Sequence, residues 1–246
     1  MTNHLFDAFR ASMPAPGQVL METDDGRSIS YADMLARSAR FAHALVAAGV
    51  LPGDRVAVQV EKTPEALLLY LAAYTLPELD YFFRDAEPRL VVCDPEKVKD
   101  VQPLAASAGA ATLTLGRDGQ GTLADRAALQ PADFADLERG PDDLAAILYT
   151  SGTTGRSKGA MLSHENLASN ARVLVDYWRF SSDDVLIHAL PIFHTHGLFV
   201  ATNVILIAGA KMLFEQKFDP ARVISILPRA TALMGVPTFY VRPCCC

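Results

Sequence analysis

The sequence predicts an α/β protein with layered, parallel-rich sheets and helices on both faces. From residue 55 onward, short runs of β-branched and apolar residues alternate with longer helical patterns, which is typical of parallel strands joined by helices. The chain has 246 residues, of which 50% are hydrophobic, so it can bury a substantial core as one large domain or two small ones. It contains no internal sequence repeat and no low-complexity tract.

The predicted strands are short apolar runs bounded by turn residues. Residues 55–60 alternate apolar and polar positions, as a half-buried strand does. The other predicted strands, in order, are 89–93, 111–115, 144–150, 185–190, 211–214 and 231–235. The predicted helices between them are 64–83, opened by proline, 95–109, closed by glycine, 197–208 and 220–227. A further helical stretch begins near Ser163, and residues 116–140 are partly loop.

The charge pattern argues against binding to nucleic acid or to anionic membranes. The net charge is −6 and the basic residues are scattered singly among acids, whereas phosphate backbones favour clustered Lys and Arg. The longest strongly apolar stretch, 197–210, has 14 residues, which is too short to span a bilayer comfortably, and we predict a buried helix there. Residues 1–18 lack the apolar segment of a secretory signal, so we expect a cytoplasmic protein.

The cysteines indicate no metal centre. Cys93 lies in an apolar, strand-like run and is expected to be a reduced, buried thiol. Cys244, Cys245 and Cys246 end the sequence, and adjacent cysteines without a Cys-x-x-Cys or histidine pattern do not suit a tetrahedral metal. We therefore expect a foreign or aberrant end to the chain rather than a metal site.

The most informative segment is a glycine- and hydroxyl-rich loop that follows a predicted strand. Residues 149–159 read Tyr-Thr-Ser-Gly-Thr-Thr-Gly-Arg-Ser-Lys-Gly. The glycines permit close backbone approach to a ligand, and successive N–H groups in such a turn form a concave anion site. Lys158 adds a mobile positive charge, and the hydroxyls can donate to phosphate oxygens or help to hold Mg²⁺. We interpret this segment, placed between strand and helix, as a cradle for a nucleoside triphosphate.

Rival interpretations of the glycine-containing segments fit the residues less well. A solvated turn rich in Ser, Thr and Gly needs neither the lysine nor so many hydroxyls. A Walker A loop requires Gly-Lys followed by Ser or Thr, whereas Ser157 precedes Lys158 and Gly159 follows it. Residues 116–121 lack the glycine spacing of a dinucleotide fingerprint.

The loop resembles the signature of the adenylate-forming superfamily, which includes acyl-CoA synthetases, luciferases and peptide-synthetase adenylation domains. The resemblance extends from Ser-Ile-Ser-Tyr at 28–31 through Gly-Asp-Arg-Val at 53–56 to Met-Gly-Val-Pro-Thr at 234–238. Within the family the chain looks most similar to bacterial malonyl-CoA synthetases, in Leu-Pro-Ile-Phe-His-Thr-His-Gly-Leu at 190–198 and Pro-Thr-Phe-Tyr-Val-Arg at 237–242.

The resemblance implies a two-step reaction on small molecules. Malonate attacks the α-phosphorus of ATP to give malonyl-AMP and pyrophosphate, and coenzyme A then displaces AMP to form the thioester. Lys158, the loop hydroxyls and Mg²⁺ would neutralise the phosphate charge, and His194 would act beside Lys158 in catalysis. The residues implied to hold the phosphates are Thr150, Ser151, Gly152, Thr153, Thr154, Gly155 and Lys158.

His194 and Gly197 match the family segment that lines the acyl and adenylate pocket. Two more interpretations stay open. On an extended segment, His194 and His196 would point to the same side and could bind a metal, but no third ligand has a suggestive spacing. His194 could also be a histidine packed beside an apolar wall.

Arg242 matches the arginine that, by the resemblance, binds the second carboxylate of malonate. A planar guanidinium can hold such a carboxylate through two hydrogen bonds. Met234 and Gly235, on the preceding predicted strand, would form part of the pocket wall. The alternatives are a solvated helix arginine at Arg242 and plain core packing at Met234 and Gly235.

Two departures from the family pattern indicate an incomplete domain. Between the helices at 65–71 and 76–85 the chain is short by about a dozen residues, roughly one strand and one turn. The sequence also ends before the family's adenine-binding, ribose-binding and hinge segments. We therefore expect residues 1–246 to be an incomplete amino-terminal adenylation domain without the small carboxy-terminal domain, inactive alone. The open alternatives are a synthetase for another carboxylic acid and a non-catalytic nucleotide-binding remnant.

Overall fold

The structure is a computed structural model that describes residues 3–73, 87–150 and 158–241. The chain divides into two compact units, one of Met1–Asn3 with Leu35–His164 and the other of His4–Met34 with Glu165–Cys246. In chain order the α-helices and strands are α1 (His4–Ala11), β1 (Val19–Thr23), β2 (Ser28–Ser30), α2 (Tyr31–Ala47), β3 (Val56–Gln59), α3 (Pro64–Ala73), β4 (Leu90–Cys93), α4 (Val98–Ser107), β5 (Ala111–Thr114), α5 (Thr122–Ala128), β6 (Leu144–Thr150), β7 (Lys158–Ser163), α6 (His164–Trp178), β8 (Val185–His188), α7 (Thr202–Ala208), β9 (Lys211–Phe214), α8 (Pro220–Ile226), β10 (Ala232–Leu233) and α9 (Pro237–Val241). Short 3₁₀ turns at Pro95–Lys97 and Leu227–Arg229 and a π-helical turn at His196–Ala201 complete the described elements.

The first unit contains a parallel sheet in the order β3-β4-β5. Leu90 on the central strand pairs with Val56 on one side and with Ala111 on the other. All four residues of β4 are 0% exposed, as expected for a parallel strand that is covered on both faces. One buried cluster joins the sheet to α4 and consists of Ala57, Val91, Cys93, Val101, Ala105 and Ala110.

The structure confirms the expected buried thiol at Cys93. Its side chain is a free thiol within the core of the first unit. Burial, together with the neighbouring Asp94 carboxylate, raises the pKa of the thiol above its usual value. The thiol therefore stays protonated near neutral pH and serves as a packing group rather than a nucleophile. Residues 244–246 lie outside the described residues.

An antiparallel hairpin in the first unit corrects the prediction for residues 158–163. β6 and β7 pair from Leu144 with Ser163 to Thr150 with Lys158, so the glycine- and hydroxyl-rich loop joins two strands rather than a strand and a helix. The β7 sequence, Lys-Gly-Ala-Met-Leu-Ser, is poor in strand formers, and local propensity therefore concealed the strand. Pairing with β6 determines its conformation. The helix itself begins close to the predicted position, at His164.

The second unit contains a five-stranded sheet in the order β10-β8-β9-β1-β2. All neighbouring strands are parallel except β1 and β2, which form an antiparallel hairpin. Met212 on β9 is fully buried and pairs with Leu186 on one side and with Met21 on the other. The two parallel-rich sheets and their helices confirm the predicted α/β class. The carboxyl ends of β8, β9 and β10 meet at one edge, where open α/β sheets bind their ligands.

No helix or strand was predicted from the sequence before residue 55, whereas the structure has α1, β1, β2 and α2 there. A reciprocal capping box marks the start of α2. The Ser30 N–H donates to Asp33 Oδ2 at 2.9 Å, and the Asp33 N–H donates to Ser30 Oγ at 3.0 Å. This Ser-x-x-Asp spacing is visible in the sequence and is the signal that could have placed the helix. The helices α5 and α9 were likewise not predicted.

The strand predicted at residues 231–235 is shorter in the structure, and the helix predicted at 64–83 extends past the described residues. β10 covers only Ala232–Leu233, because the glycine and proline that follow do not suit a paired strand. The helix predicted at 64–83 is described as far as Ala73. Residues 74–83, and with them the expected loss of a strand and a turn, lie outside the described residues.

The buried helix predicted for the apolar stretch is confirmed. The π-helical turn leads into α7, whose seven residues include six that are buried, and Gly209 ends the helix in a left-handed conformation with φ 66°. In the ranges that the structure describes, no helix combines the length and the apolar character needed to cross a membrane.

An ion-pair cluster joins strands of the second sheet. Glu22 on β1 accepts hydrogen bonds from the ammonium of Lys211 and from the guanidinium of Arg229. The Lys211 hydrogen bond is the main cause that holds the pKa of Glu22 below its usual value. Arg229 adds to this effect, and together they outweigh the opposing effect of partial burial.

We expect acid to remove the contribution of Glu22 to stability. Because its pKa is lower in the folded chain than in the unfolded one, that contribution is complete above about pH 4.5 and is lost as the pH falls toward the folded-state pKa. Glu22→Gln should destabilise the chain near neutral pH and flatten the fall in unfolding free energy below pH 4.5, measured by urea unfolding at several pH values. Glu96→Gln, at an exposed position, is the control. An unchanged acid slope in Glu22→Gln would contradict the assignment.

Candidate active site

The hairpin of the first unit holds the two ends of the glycine- and hydroxyl-rich loop next to each other. Thr150, the last residue of β6, is the paired partner of Lys158, the first residue of β7. Both ends of the intervening segment are therefore fixed at the same tip of the hairpin, as a closed anion-binding loop requires. That segment, with Ser151, Gly152, Thr153, Thr154 and Gly155, lies outside the described residues.

The strands that carry this tip are anchored at their other end. Ala145 and Ala146 on β6 are each 1% exposed. The His164 N–H donates to the Asp143 carbonyl at 3.0 Å, which closes the base of the hairpin. Groups carried on paired strands are held more precisely than groups on free loops. The backbones of Thr150 and Lys158 thus have a firm support.

The second predicted group lies on residues 191–197, which we call the His194 loop. This loop follows β8 and leads into the π-helical turn. His194 is exposed, and its ring centroid lies 4.5 Å from that of Phe193, which is 62% exposed. The interpretation of His194 as a histidine packed beside an apolar wall is therefore wrong. An exposed imidazole is available to hydrogen-bond a ligand or to exchange a proton with it.

The metal-pair interpretation of His194 and His196 assumed an extended segment, and this premise is wrong. The chain turns before His194 and is helical from Thr195 onward, so the alternation of side chains along a strand does not apply. Within 3–73, 87–150 and 158–241, no group of three or more His, Cys, Asp or Glu side chains is arranged to hold a metal ion.

Gly197 is buried and brings the two ends of the His194 loop into backbone contact. A Cβ atom here would lie 2.0 Å from the Pro191 carbonyl oxygen, so the contact requires glycine. The Gly197 carbonyl accepts a hydrogen bond from the Thr202 hydroxyl at 3.1 Å and lies 3.0 Å from His188 Nε2. Sequence reasoning missed His188, which is 1% exposed. The sequence signal that could have identified His188 is a polar residue at the end of an otherwise apolar run, Val-Leu-Ile-His at 185–188.

Met234 and Gly235 follow β10 rather than lying on it. Met234 is 8% exposed, and a Cβ atom at Gly235 would lie 3.1 Å from Phe239 and 3.3 Å from Tyr240. Two aromatic side chains of α9 thus cover Gly235. Phe239 in turn stacks on Phe218, with ring centroids 3.8 Å apart. Contacts within the chain account for the packing at Gly235, and the role of both residues as a pocket wall stays a prediction.

The predicted site residues are divided between the two units. The hairpin tip belongs to the first unit, and the His194 loop and Met234 belong to the second. Arg242 directly follows α9 and lies outside the described residues. The assignment of these residues to phosphate and acyl groups stays a prediction.

Comparison with known protein families matches residues 9–243 to the family described as AMP-binding enzyme. Among solved structures, ATP-bound MatB from Rhodopseudomonas palustris is similar to this chain with a TM-score of 0.95 and 56% sequence identity. The match covers 99% of this chain and 51% of that one.

Curated proteins show the same kind of partial match. Feruloyl-CoA synthase from Amycolatopsis sp is 35% identical over an alignment of 230 positions, gaps included, which covers 87% of this chain and 45% of that protein. The mitochondrial malonate–CoA ligase of Bos taurus is 30% identical over an alignment of 251 positions, gaps included, which covers 92% of this chain and 42% of that protein. The chain therefore spans less than half the length of these two relatives.

Proposed function

The chain belongs to the AMP-binding enzyme family, and from this premise we propose that it carries the phosphate-holding and acyl-holding parts of an AMP-forming acid–thiol ligase that activates malonate with ATP. One observation carries the proposal. The Tyr-Thr-Ser-Gly-Thr-Thr-Gly-Arg-Ser-Lys-Gly run crosses the tip of a strand hairpin, where Thr150 is paired with Lys158. A lysine and several hydroxyl residues in a glycine-rich run suit a chain of phosphates.

The proposed chemistry begins at the α-phosphorus of ATP. A carboxylate oxygen of malonate attacks this atom, the bond to the oxygen that bridges to the β-phosphate breaks, and pyrophosphate leaves with the electron pair. The thiolate of coenzyme A then attacks the acyl carbon of malonyl-AMP, and AMP leaves. Lys158 and the hydroxyls of the tip neutralise the charge that accumulates on the departing pyrophosphate. Mg²⁺, when bound, supplies further positive charge to the phosphates.

One observation and one predicted contact support malonate as the acid. The chain is similar to a malonate–CoA ligase over 92% of its length, and Arg242 would pair with the carboxylate that is not activated. A second candidate is an aromatic acid, because feruloyl-CoA synthase is 35% identical. Phe239 and Tyr240 would lie 3.1 and 3.3 Å from a Cβ atom at Gly235, and under this proposal they leave less room for an aryl group than for the smaller acid.

We expect the chain to bind ATP with Mg²⁺, and malonate to tighten that binding more than ferulate does. Titration calorimetry with each acid present measures both effects. Failure to bind ATP would refute the proposal, and tighter ATP binding with ferulate would favour the aromatic acid. ATP binding that responds to neither acid would favour a non-catalytic nucleotide-binding remnant.

The same proposal extends to the chain as a whole. Residues 1–246 would be an incomplete amino-terminal adenylation domain, part of an enzyme that acts in the cytoplasm on malonate, ATP and coenzyme A. We expect no malonate-driven exchange of labelled pyrophosphate into ATP by this chain alone, because it spans only 51% of the ATP-bound relative. Clear exchange by the purified chain would contradict that expectation.

A further inference from the structure

A buried histidine that the proposed chemistry does not use lies behind the His194 loop. His188 is the last residue of β8 and is 1% exposed. Removing an imidazole from water is unfavourable unless its polar atoms find partners, so such a residue is retained where its hydrogen bonds matter.

Two side chains converge on one backbone carbonyl in this region. His188 Nε2 lies 3.0 Å from the Gly197 oxygen, and the Thr202 hydroxyl donates to the same oxygen at 3.1 Å. Thr202 is 0% exposed, and its hydroxyl lies 3.3 Å from the imidazole nitrogen. A carbonyl oxygen has two lone pairs and cannot donate. A neutral imidazole that hydrogen-bonds this oxygen therefore donates to it from Nε2.

The imidazole is held by the sheet from which it projects. His188 pairs with Phe214, the last residue of β9, and the two ring centroids lie 5.5 Å apart. The His188 carbonyl also accepts a hydrogen bond from the Glu215 N–H at 3.1 Å. The hydrogen-bond donor to Gly197 is thus fixed on a paired strand, which is a rigid support.

The carbonyl that receives these bonds lies at the base of the His194 loop. Gly197 belongs to the π-helical turn and touches the backbone of Pro191 across the loop. A π-helical turn departs from regular helix hydrogen bonding and occurs frequently at functional sites. We propose that His188 and Thr202 are positioning residues that fix the His194 loop through the Gly197 carbonyl. The proposal rests on the proposed function for one point only, namely that the His194 loop contacts the carboxylic acid.

The first test is spectroscopic and uses the unmodified chain. Nitrogen NMR of histidine labelled at both ring nitrogens distinguishes the two neutral tautomers. We expect His188 to carry its hydrogen on Nε2. A hydrogen on Nδ1 with a bare Nε2 would place a lone pair against the carbonyl oxygen and would overturn the proposal.

The second test compares matched substitutions. Glutamine carries an N–H group near the place of Nε2, whereas leucine has similar bulk and no donor. Amide hydrogen exchange at residues 197–203 should therefore be faster by about tenfold or more in His188→Leu and within about threefold of the wild type in His188→Gln. Thr202→Val and Thr202→Ser form a second pair, which still decides the question if His188→Leu does not fold. Equal exchange in the donor-keeping and donor-lacking variants would overturn the proposal.

A third measurement distinguishes a positioning role of His188 from a general effect on stability. It also shows whether this proposal fails independently of the proposed function. Calorimetry should show that malonate affinity of the ATP-loaded chain falls by about tenfold in His188→Leu, equivalent to about 1.4 kcal/mol, while ATP affinity is unchanged. Parallel loss of both affinities would indicate a merely structural role. If the unmodified chain binds neither ligand, the proposed function fails, whereas the tautomer and the exchange rates still decide whether His188 fixes the loop.

Discussion

Gly197→Ala should destabilise the chain by about 3 kcal/mol. The added methyl would be placed 2.0 Å from the Pro191 carbonyl oxygen and 2.8 Å from its carbonyl carbon. These are backbone atoms, which cannot rotate away as the end of a side chain can. The Cβ of Leu190, at 3.3 Å, crowds the same position. The His194 loop would have to open at its base, and urea unfolding followed by circular dichroism measures the cost.

Gly17→Ala is the matched control. Its added methyl would meet no heavy atom within 4 Å, and Gly17 does not have a positive φ. We expect its free energy of unfolding to lie within about 0.5 kcal/mol of the wild-type value. If Gly197→Ala were as stable as this control, the two ends of the His194 loop would not be in the contact described.

Lys158→Met should weaken ATP binding by between about tenfold and hundredfold. A charged hydrogen bond to phosphate contributes roughly 1.5–3 kcal/mol, and each 1.4 kcal/mol corresponds to about tenfold in affinity. Methionine keeps much of the length of the lysine side chain and removes only the charge and the donors. Calorimetry with ATP and Mg²⁺ measures the loss, and the free energy of unfolding should change little, because the substitution is at the tip of a hairpin.

Lys99→Met is the control for this change in net charge. Lys99 is an exposed residue of α4, away from the hairpin in sequence and on a different element. We expect this variant to bind ATP as the wild type does. Equal affinities for Lys158→Met and Lys99→Met would remove the proposed role of Lys158 in holding phosphates.

The alternation of apolar runs and helical patterns was enough to predict the α/β class, because parallel strands buried on both faces leave a strong apolar signal. Leu90–Cys93 is such a run and forms the centre of its sheet. β7 left no comparable signal, since Lys, Gly and Ala favour strands only when a partner strand is present. The chemistry of the glycine- and hydroxyl-rich loop could be predicted from its residues. Its placement at a hairpin tip could not, because that placement depends on the pairing of β6 with β7.

The His194 loop shows a second limit of sequence reasoning. The residues His194 and Gly197 could be selected from their types and spacing. The support for the loop could not be predicted, because His188 meets Gly197 only when residues 191–197 bring the start of the π-helical turn next to the end of β8. A buried polar contact between residues nine positions apart leaves a weak pattern in the sequence, a single polar residue at the end of an apolar strand.

The central claim is that the tip of the β6–β7 hairpin holds the phosphates of a nucleotide. A crystal structure of the chain with ATP and Mg²⁺ tests it most directly. We predict density for the β- and γ-phosphates against the backbone between Thr150 and Lys158, with the Lys158 ammonium within hydrogen-bonding distance. ATP bound elsewhere on the chain, with no phosphate at this tip, would contradict the claim.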